Sequence, residues 1–341
     1  MTSASKTWLG LGLQTAKGTP QATDGNFTYL RFQRGGFSVA NQVISSETEV
    51  GGDALPSDQQ KVGVFGRGGL EFIPRAHSLG HLLQGWFGAP TSEADGLGWK
   101  HTYALGADQF DTPYYTVRSA PGRLWGEQFQ DSVVTQVGLN WRAADYVRGS
   151  VGIVGGLPAK LATTTWAAVP DASPSFIAPV TTITWPTETP KILSGAVVLG
   201  SAVPLDEQWI TGAYSPDDLE VTARQAAIQL VMKVADATLY TKMAYDSAGG
   251  SAWAASILRE AGVSIAFTSV QTYDTAKPYK LVITGNGGAA TLKSIAWSVA
   301  PINLEAGRNV TMAVTGTILS TGEGEPISAE LYNDTASYAL A

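Results

Sequence analysis

The chain has 341 residues, room for roughly two domains at ~150 residues each. Charged residues make up 15% and apolar ones 44%, and the 38 glycines and 17 prolines follow no period of three; this excludes a disordered or collagen-like chain and suits short strands joined by many turns. The net charge of −7 disfavours tight nucleic-acid binding, which needs clustered Lys and Arg, and the lack of cysteine excludes disulfides, iron–sulfur clusters and thiol nucleophiles.

Residues 1–27 are rich in Gly, Thr and Gln and read as an extended arm. The apolar run from Trp8 to Leu13 is too short for a signal-peptide core. No stretch approaches ~18 consecutive apolar residues, so no membrane span is expected, and the protein is expected to fold in a cytoplasm. From Phe37 a strand alternates Phe37, Val39 and Val43 with Ser38 and Gln42. Its partner places Val62, Val64, Leu70 and Phe72 on one face and Lys61, Arg67 and Glu71 on the other. Residues 36–73 thus form a long hairpin, whose tip loop at 46–60 holds Glu47, Glu49, Asp53 and Asp58.

A helix follows, with Leu79, Leu82, Leu83, Trp86 and Phe87 on one face, Ser78 as N-cap, and Gly88 and Pro90 as the stop. Residues 91–112 read as a loop and 114–118 as a short strand. The hairpin over 131–154 is the best patterned. Val133, Thr135, Val137, Leu139 and Trp141 share one face; Val134, Gln136, Asn140 and Arg142 share the other. After a turn at 143–145, Val147, Val151 and Ile153 return apolar, opposite Tyr146, Arg148 and Ser150. Residues 155–190, rich in Pro, Ala and Thr, read as a linker with room for one strand.

The second half repeats this order: a strand at 219–233, a helix from Asp236 through Met243, strands at 263–267 and 279–283 with a turn at Asn286 and Gly287, and a last hairpin over 291–319. In that hairpin Ile295, Trp297 and Val299 oppose Val310, Met312, Val314 and Ile318, while Asn309, Thr311, Thr315 and Thr317 face out. The alternation breaks near 225–227, as a bulge would make it do.

Motifs for chemistry are weak. His77 and His81 stand at i, i+4, a metal-ligand spacing, but the Glu of a zinc hydrolase motif is missing; with His101 they read as helix-end or core residues. No Gly-x-Ser-x-Gly elbow or phosphate loop is present. The carboxylate pairs Glu47 and Glu49, Asp217 and Asp218, and Glu323 and Glu325 sit in turns or in the tail. Trp86, Trp141 and Trp297 fall on apolar faces and read as core.

The order of elements resembles the tail tube proteins of long-tailed, siphovirus-type phages. The matching stretches are Leu11-Gly12-Leu13-Gln14 and Lys17-Gly18-Thr19-Pro20 in the arm, Leu79-Gly80-His81-Leu82-Leu83 and Trp86-Phe87-Gly88 in the helix, His101-Thr102-Tyr103, the 131–154 hairpin, and Leu304-Glu305-Ala306-Gly307-Arg308-Asn309-Val310. The resemblance implies a mainly β fold of two tandem β-sandwich or barrel tail-tube-like domains, each with long hairpins and a flanking short α-helix. The expected division is an arm at 1–27, domains at 28–160 and 191–320, a linker at 161–190 and a tail at 321–341.

It also implies a structural subunit of the virion tail, assembled in the host cytoplasm, with neither catalytic residues nor a cofactor or metal. Its partners would be itself, as stacked rings, and other tail proteins such as the tape measure and the terminator. DNA would pass through the lumen without specific binding, which the acidic balance suits. The halves' repetition favours three copies per ring over six. Arg67, Gln136, Asn140, Arg142 and Arg148 are the candidate lumen face; Glu47, Glu49, Asp53 and Asp58 are the candidate ring-stacking loop. The competing expectation is another virion or secreted β-sandwich, such as a carbohydrate-binding or decoration module; a hydrolase on a β scaffold comes third.

Overall fold

Period-two alternation produces strands with one dry and one wet face, and such strands must stack their dry faces. The computed structural model of the chain describes residues 6–47, 55–56, 58–105, 112–162, 169–185, 189–234, 238–245, 259–260, 263–287, 295–299, 302, 304, 309–320 and 325–338. The first half contributes β1 (Trp8–Leu13), β2 (Phe27–Tyr29), β3 (Arg34–Ser45), β4 (Gln59–Phe72), α1 (Ser78–Phe87), β5 (Thr91–Asp95), β6 (Gly98–Ala104), β7 (Tyr115–Ala120), β8 (Gly126–Arg142) and β9 (Arg148–Gly155). β10 (Pro158–Leu161) and β11 (Ile177–Thr184) lead into the second half. There β12 (Lys191–Ala202), β13 (Ala223–Lys233), α2 (Thr238–Tyr245), β14 (Arg259–Glu260), β15 (Ser264–Asp274), β16 (Lys277–Gly287), β17 (Ile295–Val299), β18 (Thr311–Ile318) and β19 (Glu325–Asn333) follow.

The fold is mainly β and antiparallel. Eight strands of the larger sheet run in the order β3-β4-β9-β8-β12-β13-β18-β17. Each half supplies a first hairpin and then a second hairpin docked in reverse, and the two sets stand side by side. β1, β2, β7 and β10 extend from the first half of β8. A second sheet, β11-β15-β16-β19-β6-β5, stacks over the dry face. One buried cluster, from Leu9 to Tyr338, fills the space between.

The two halves therefore share both sheets and one core rather than forming separate tandem sandwiches. β8 pairs β12, and β6 pairs β19. Polar ties reinforce the union. The Trp86 indole N–H on α1 donates to the Gly200 carbonyl on β12 (3.1 Å), and Lys100 on β6 bridges Glu93 (3.3 Å) and Glu330 on β19 (3.0 Å).

Several elements differ from the sequence reading. Residues 8–13 are not an arm: β1 pairs β2 and β7, and Leu9 and Leu11 are buried in the core. The glycines that suggested flexibility let the Tyr29 and Phe27 rings lie against the bare backbone of Gly10 and Gly12. Residues 91–104 hold the hairpin β5–β6, turned at Gly96 with φ 67°, which the polar composition of Thr91 to Asp95 concealed. The linker supplies β11 to the second sheet, and the tail supplies β19 to its centre. Strand β16 continues through Gly287, where a turn was expected. The bulge in the second half falls between Ile192 and Ser194, not at 225–227, where Ala226 is buried like its larger neighbours.

α1 buries the expected Leu79, Leu82, Leu83, Trp86 and Phe87. Ser78 is its first helical residue, not its cap. The Asp171 carboxylate, 93 residues away, accepts from the Ser78 N–H (2.8 Å) and offsets the positive helix end. The expected Asp236 cap of α2 lies outside the described residues.

Tyr338 closes the core beneath α1. Its ring lies where a Cβ on Gly80 would meet it at 2.1 Å, and its hydroxyl donates to the His77 carbonyl (3.0 Å). Tyr338→Ala is expected to lower unfolding stability by about 3–5 kcal/mol in urea titration. A loss under about 1 kcal/mol would mean that the tail is not core.

His81 is half-buried, edge-to-face on Tyr338 (4.9 Å), and desolvation of its ring pulls its imidazole down to about 4. The folded chain thus holds it neutral, while the unfolded chain takes up its proton near pH 6.5. Its contribution is full above pH ~6.5 and is lost as pH falls toward ~4, by roughly 3 kcal/mol. His81→Phe is expected to flatten this slope in urea midpoints measured from pH 7 to 4; an unchanged slope would contradict it.

Candidate functional site

The wet face of the eight-stranded region carries small and polar side chains. Register places Arg67 opposite Val154, Gln136 opposite Gly152, Asn140 opposite Arg148, and Arg142 opposite Ser194. All five candidate face residues are therefore exposed on one surface. The hairpin's phase needs one correction. A bulge at Thr135 puts Val134 with Val137, Leu139 and Trp141 on the dry side, and leaves Val133 on the wet side.

The five candidates leave out further members of this face. Arg34 and Glu71 form an ion pair (2.7 Å) on this face, and Lys191 faces Lys233 across β12 and β13. The signal was present in β13, where Gln225, Ala227, Gln229, Val231 and Lys233 alternate with buried residues. Where the eight strands pair with one another, Glu71 is the one carboxylate on this face among the described residues. The acidic excess of the chain lies elsewhere. Gly69 and Gly152 line a shallow groove of about 360 Å³ between Arg34 and Gln136. Arg148 is held by Asp145 (3.1 Å), whose carboxyl is drawn down by the Tyr146 N–H and by Arg148.

The sheet has two outer edges. Among the described residues β3 pairs β4 alone, although the Ser119 hydroxyl donates to the Phe37 carbonyl (2.9 Å). At the other end β17 pairs β18, β14 covers Ile295 and Ala296, and α2 packs against β17; among the described residues no strand pairs the outer side of Trp297 to Val299. The same kind of edges already meet once inside the chain. β8, the inner strand of the first half's second hairpin, pairs β12, the leading strand of the next hairpin, from Arg142↔Ser194 to Gln136↔Gly200. Across this seam Val137 and Leu139 continue into Leu199 and Val197 on the dry side.

β4 meets β9 only from Gly66 onward, so residues 39–45 and 59–65 project past the sheet as a two-stranded arm. At its outer end the Ser46 N–H donates to the Asp58 carbonyl (2.8 Å) and the Asp58 N–H to the Ser46 hydroxyl (3.1 Å), and Val43 and Ile44 are about half exposed. Glu47 and Asp58 are exposed there; Glu49 and Asp53 lie outside the described residues. The crossover 203–222 folds onto the arm's root. Trp209 packs on Gly63 and Phe65, and the Val64 N–H donates to the Tyr214 carbonyl (2.7 Å).

Groups suited to catalysis are used structurally. Asp218 accepts from Lys17 (2.8 Å) and the Tyr114 hydroxyl (2.7 Å). His101 sits between Ser92, Asn333 and the Thr335 carbonyl, and burial lowers its pKa. Among the described residues no cluster of His, Asp and Glu has metal-binding geometry, and no helix is long and apolar enough to cross a membrane. Comparison with models of known families and with curated proteins gives no match.

The face assignment makes a contrast. Leu139→Glu is expected to abolish folding, because it buries an unpaired charge. Arg142→Ser with Arg67→Ser should change stability by less than about 0.5 kcal/mol. Circular dichroism with urea titration checks both; unfolding by the Arg changes would show the faces reversed.

Proposed function

We propose that this chain is a structural subunit of a tube, of the long-tailed phage tail type, whose rings close by strand pairing and enclose a lumen that conducts DNA. One observation carries the reading: the seam between β8 and β12 is a worked example, within one chain, of the joint that the outer edges of β17 and β3 can make between chains. The two edges lie on opposite ends of one sheet and differ from each other. Their pairing is head-to-tail, and head-to-tail contacts close into rings when the rotation permits.

Strand number sets the size of such a ring. With strands ~4.8 Å apart and tilted ~40°, three copies of an eight-stranded region make a barrel of roughly 24 strands and about 48 Å backbone diameter. Side chains ~5 Å tall on each wall leave about 38 Å. Two copies would leave only ~22 Å and six would leave ~85 Å by the same geometry. Three suits a hydrated duplex with its counterions. The wet face, with Arg67, Gln136, Asn140, Arg142 and Arg148, would line it.

Electron microscopy of the purified chain tests this directly. Closed rings or hollow tubes are expected; a chain that stays monomeric at high concentration would contradict the reading. The chain has no cysteine, so one placed at Ser38 on β3 and another at Ser298 on β17 report the joint cleanly. Oxidation is expected to link chains into a ladder that ends at three, while intramolecular products alone would exclude the joint.

A further inference from the structure

All three histidines of the chain meet one short segment, the residues that follow β19. His77, just before α1, holds the Asp334 carboxylate through Nε2. His101 on β6 is fully buried. Its Nε2 faces the Asn333 side-chain oxygen (3.2 Å) and the Thr335 carbonyl (2.9 Å), and its Nδ1 faces the Ser92 hydroxyl (2.7 Å). His81 on α1 and His101 both lie edge-to-face with Tyr338, at 4.9 and 4.7 Å.

Strand pairing of β19 stops at Asn333, opposite Trp99. Past that point side chains fasten the segment. The Tyr338 hydroxyl donates to the His77 carbonyl (3.0 Å), and the Asn333 amide donates to the Ala76 carbonyl (2.8 Å). A segment outside the sheets can open without breaking a strand pair, so its opening is separable from unfolding.

We infer that residues 334–338 are a strap that lets go in mild acid while both sheets stay closed. The inference does not rest on the tube reading. Opening draws Tyr338 away from Gly80 and bares the Ala76 and His77 carbonyls at the start of α1.

The groups around each histidine set the direction. His81 faces Asp171 and His77; desolvation outweighs the carboxylate and lowers the imidazole to about 4. Around His101 the facing groups are neutral: Ser92, Asn333, Thr335 and Tyr338. Lys100, Glu93 and Glu330 pair on the other face of β5, β6 and β19, and desolvation lowers the His101 pKa too. Both rings are therefore held neutral under the strap and take up protons near pH 6.5 once it opens. The closed form is fully favoured above pH ~6.5 and loses ground as pH falls toward ~4.

His77 works the other way. It lies between Asp334 and Asp171 (3.9 Å), beside the Tyr279 ring, and when charged it keeps Asp334 bound. Burial disfavours the Asp334 charge, but the His77 hydrogen bond outweighs it and draws the carboxyl down. Magnitudes decide between the two effects. The His77–Asp334 pair is 38% and 45% exposed, and a pair that exposed contributes at most about 5-fold. His81 alone raises the open fraction about 20-fold between pH 7 and pH 5, and His101 adds to it.

Amide hydrogen exchange of the unaltered chain tests this, with rates at 334–338 corrected at each pH for those of an unstructured peptide. Opening is expected to be at least ~20-fold more frequent at pH 5 than at pH 7, with β8 and β12 protected throughout. Asp334→Asn should raise opening at both pH values. His81→Phe with His101→Gln should leave opening nearly independent of pH. Opening of the unaltered chain that ignores pH, or that occurs only when β8 and β12 open as well, would overturn the inference. If the double variant does not fold, the pH series of the unaltered chain decides.

Discussion

An antiparallel strand at the edge of a sheet offers a row of N–H and C=O groups to any chain that can pair with them. In this protein that constraint is met once internally, where β8 and β12 face each other over seven residue pairs. At about 1 kcal/mol net per backbone hydrogen bond, such a seam contributes several kcal/mol before side chains are counted. The seam also continues the dry surface from Leu139 and Val137 to Val197 and Leu199, so one core serves both halves. The remaining architecture follows: α1 is tied to β12 through Trp86, and β19 is inserted beside β6.

The wet face is shaped by what must not happen on it. A long hydrophobic sheet with open edges would aggregate without order. Here Gln, Asn, Thr, Ser and Gly occupy about half of the outward positions, with Arg142, Lys191 and Lys233 at one end. The β3–β4 contact is unusually close: Gly35 has φ 102°, and a Cβ on Gly68 would meet the Gly36 carbonyl oxygen at 2.1 Å. Only glycine permits that approach, which leaves a bare backbone groove beside Arg34.

Much of this was legible in the sequence. The 133–141 and 311–318 stretches show their faces through alternation alone, and α1 shows its stripe. The candidate residues Arg67, Gln136, Asn140, Arg142 and Arg148 share a surface because period-two patterning assigns faces without knowledge of the fold. Other features depended on distant partners. Thr135 looks like a regular strand residue, and only the register with Ile153 and Gly152 reveals it as a bulge. β1 and β19 looked peripheral because they lie near the termini, yet Leu9, Leu11, Ile327 and Leu331 are core. The cap on α1 comes from Asp171, too far along the chain for local rules to find. The approach of Lys191 to Lys233 could not be read either, because only strand pairing makes them neighbours.

The central claim is that the outer edges of β3 and β17 pair between chains as β8 and β12 pair within one. Backbone amide hydrogen exchange, compared between the dissociated chain and its assembly, reads those edges directly. Assembly by strand pairing slows exchange in residues 34–41 and 297–299 and leaves the already paired β8 and β12 unchanged. An assembly in which both edges exchange as fast as in the free chain would contradict it.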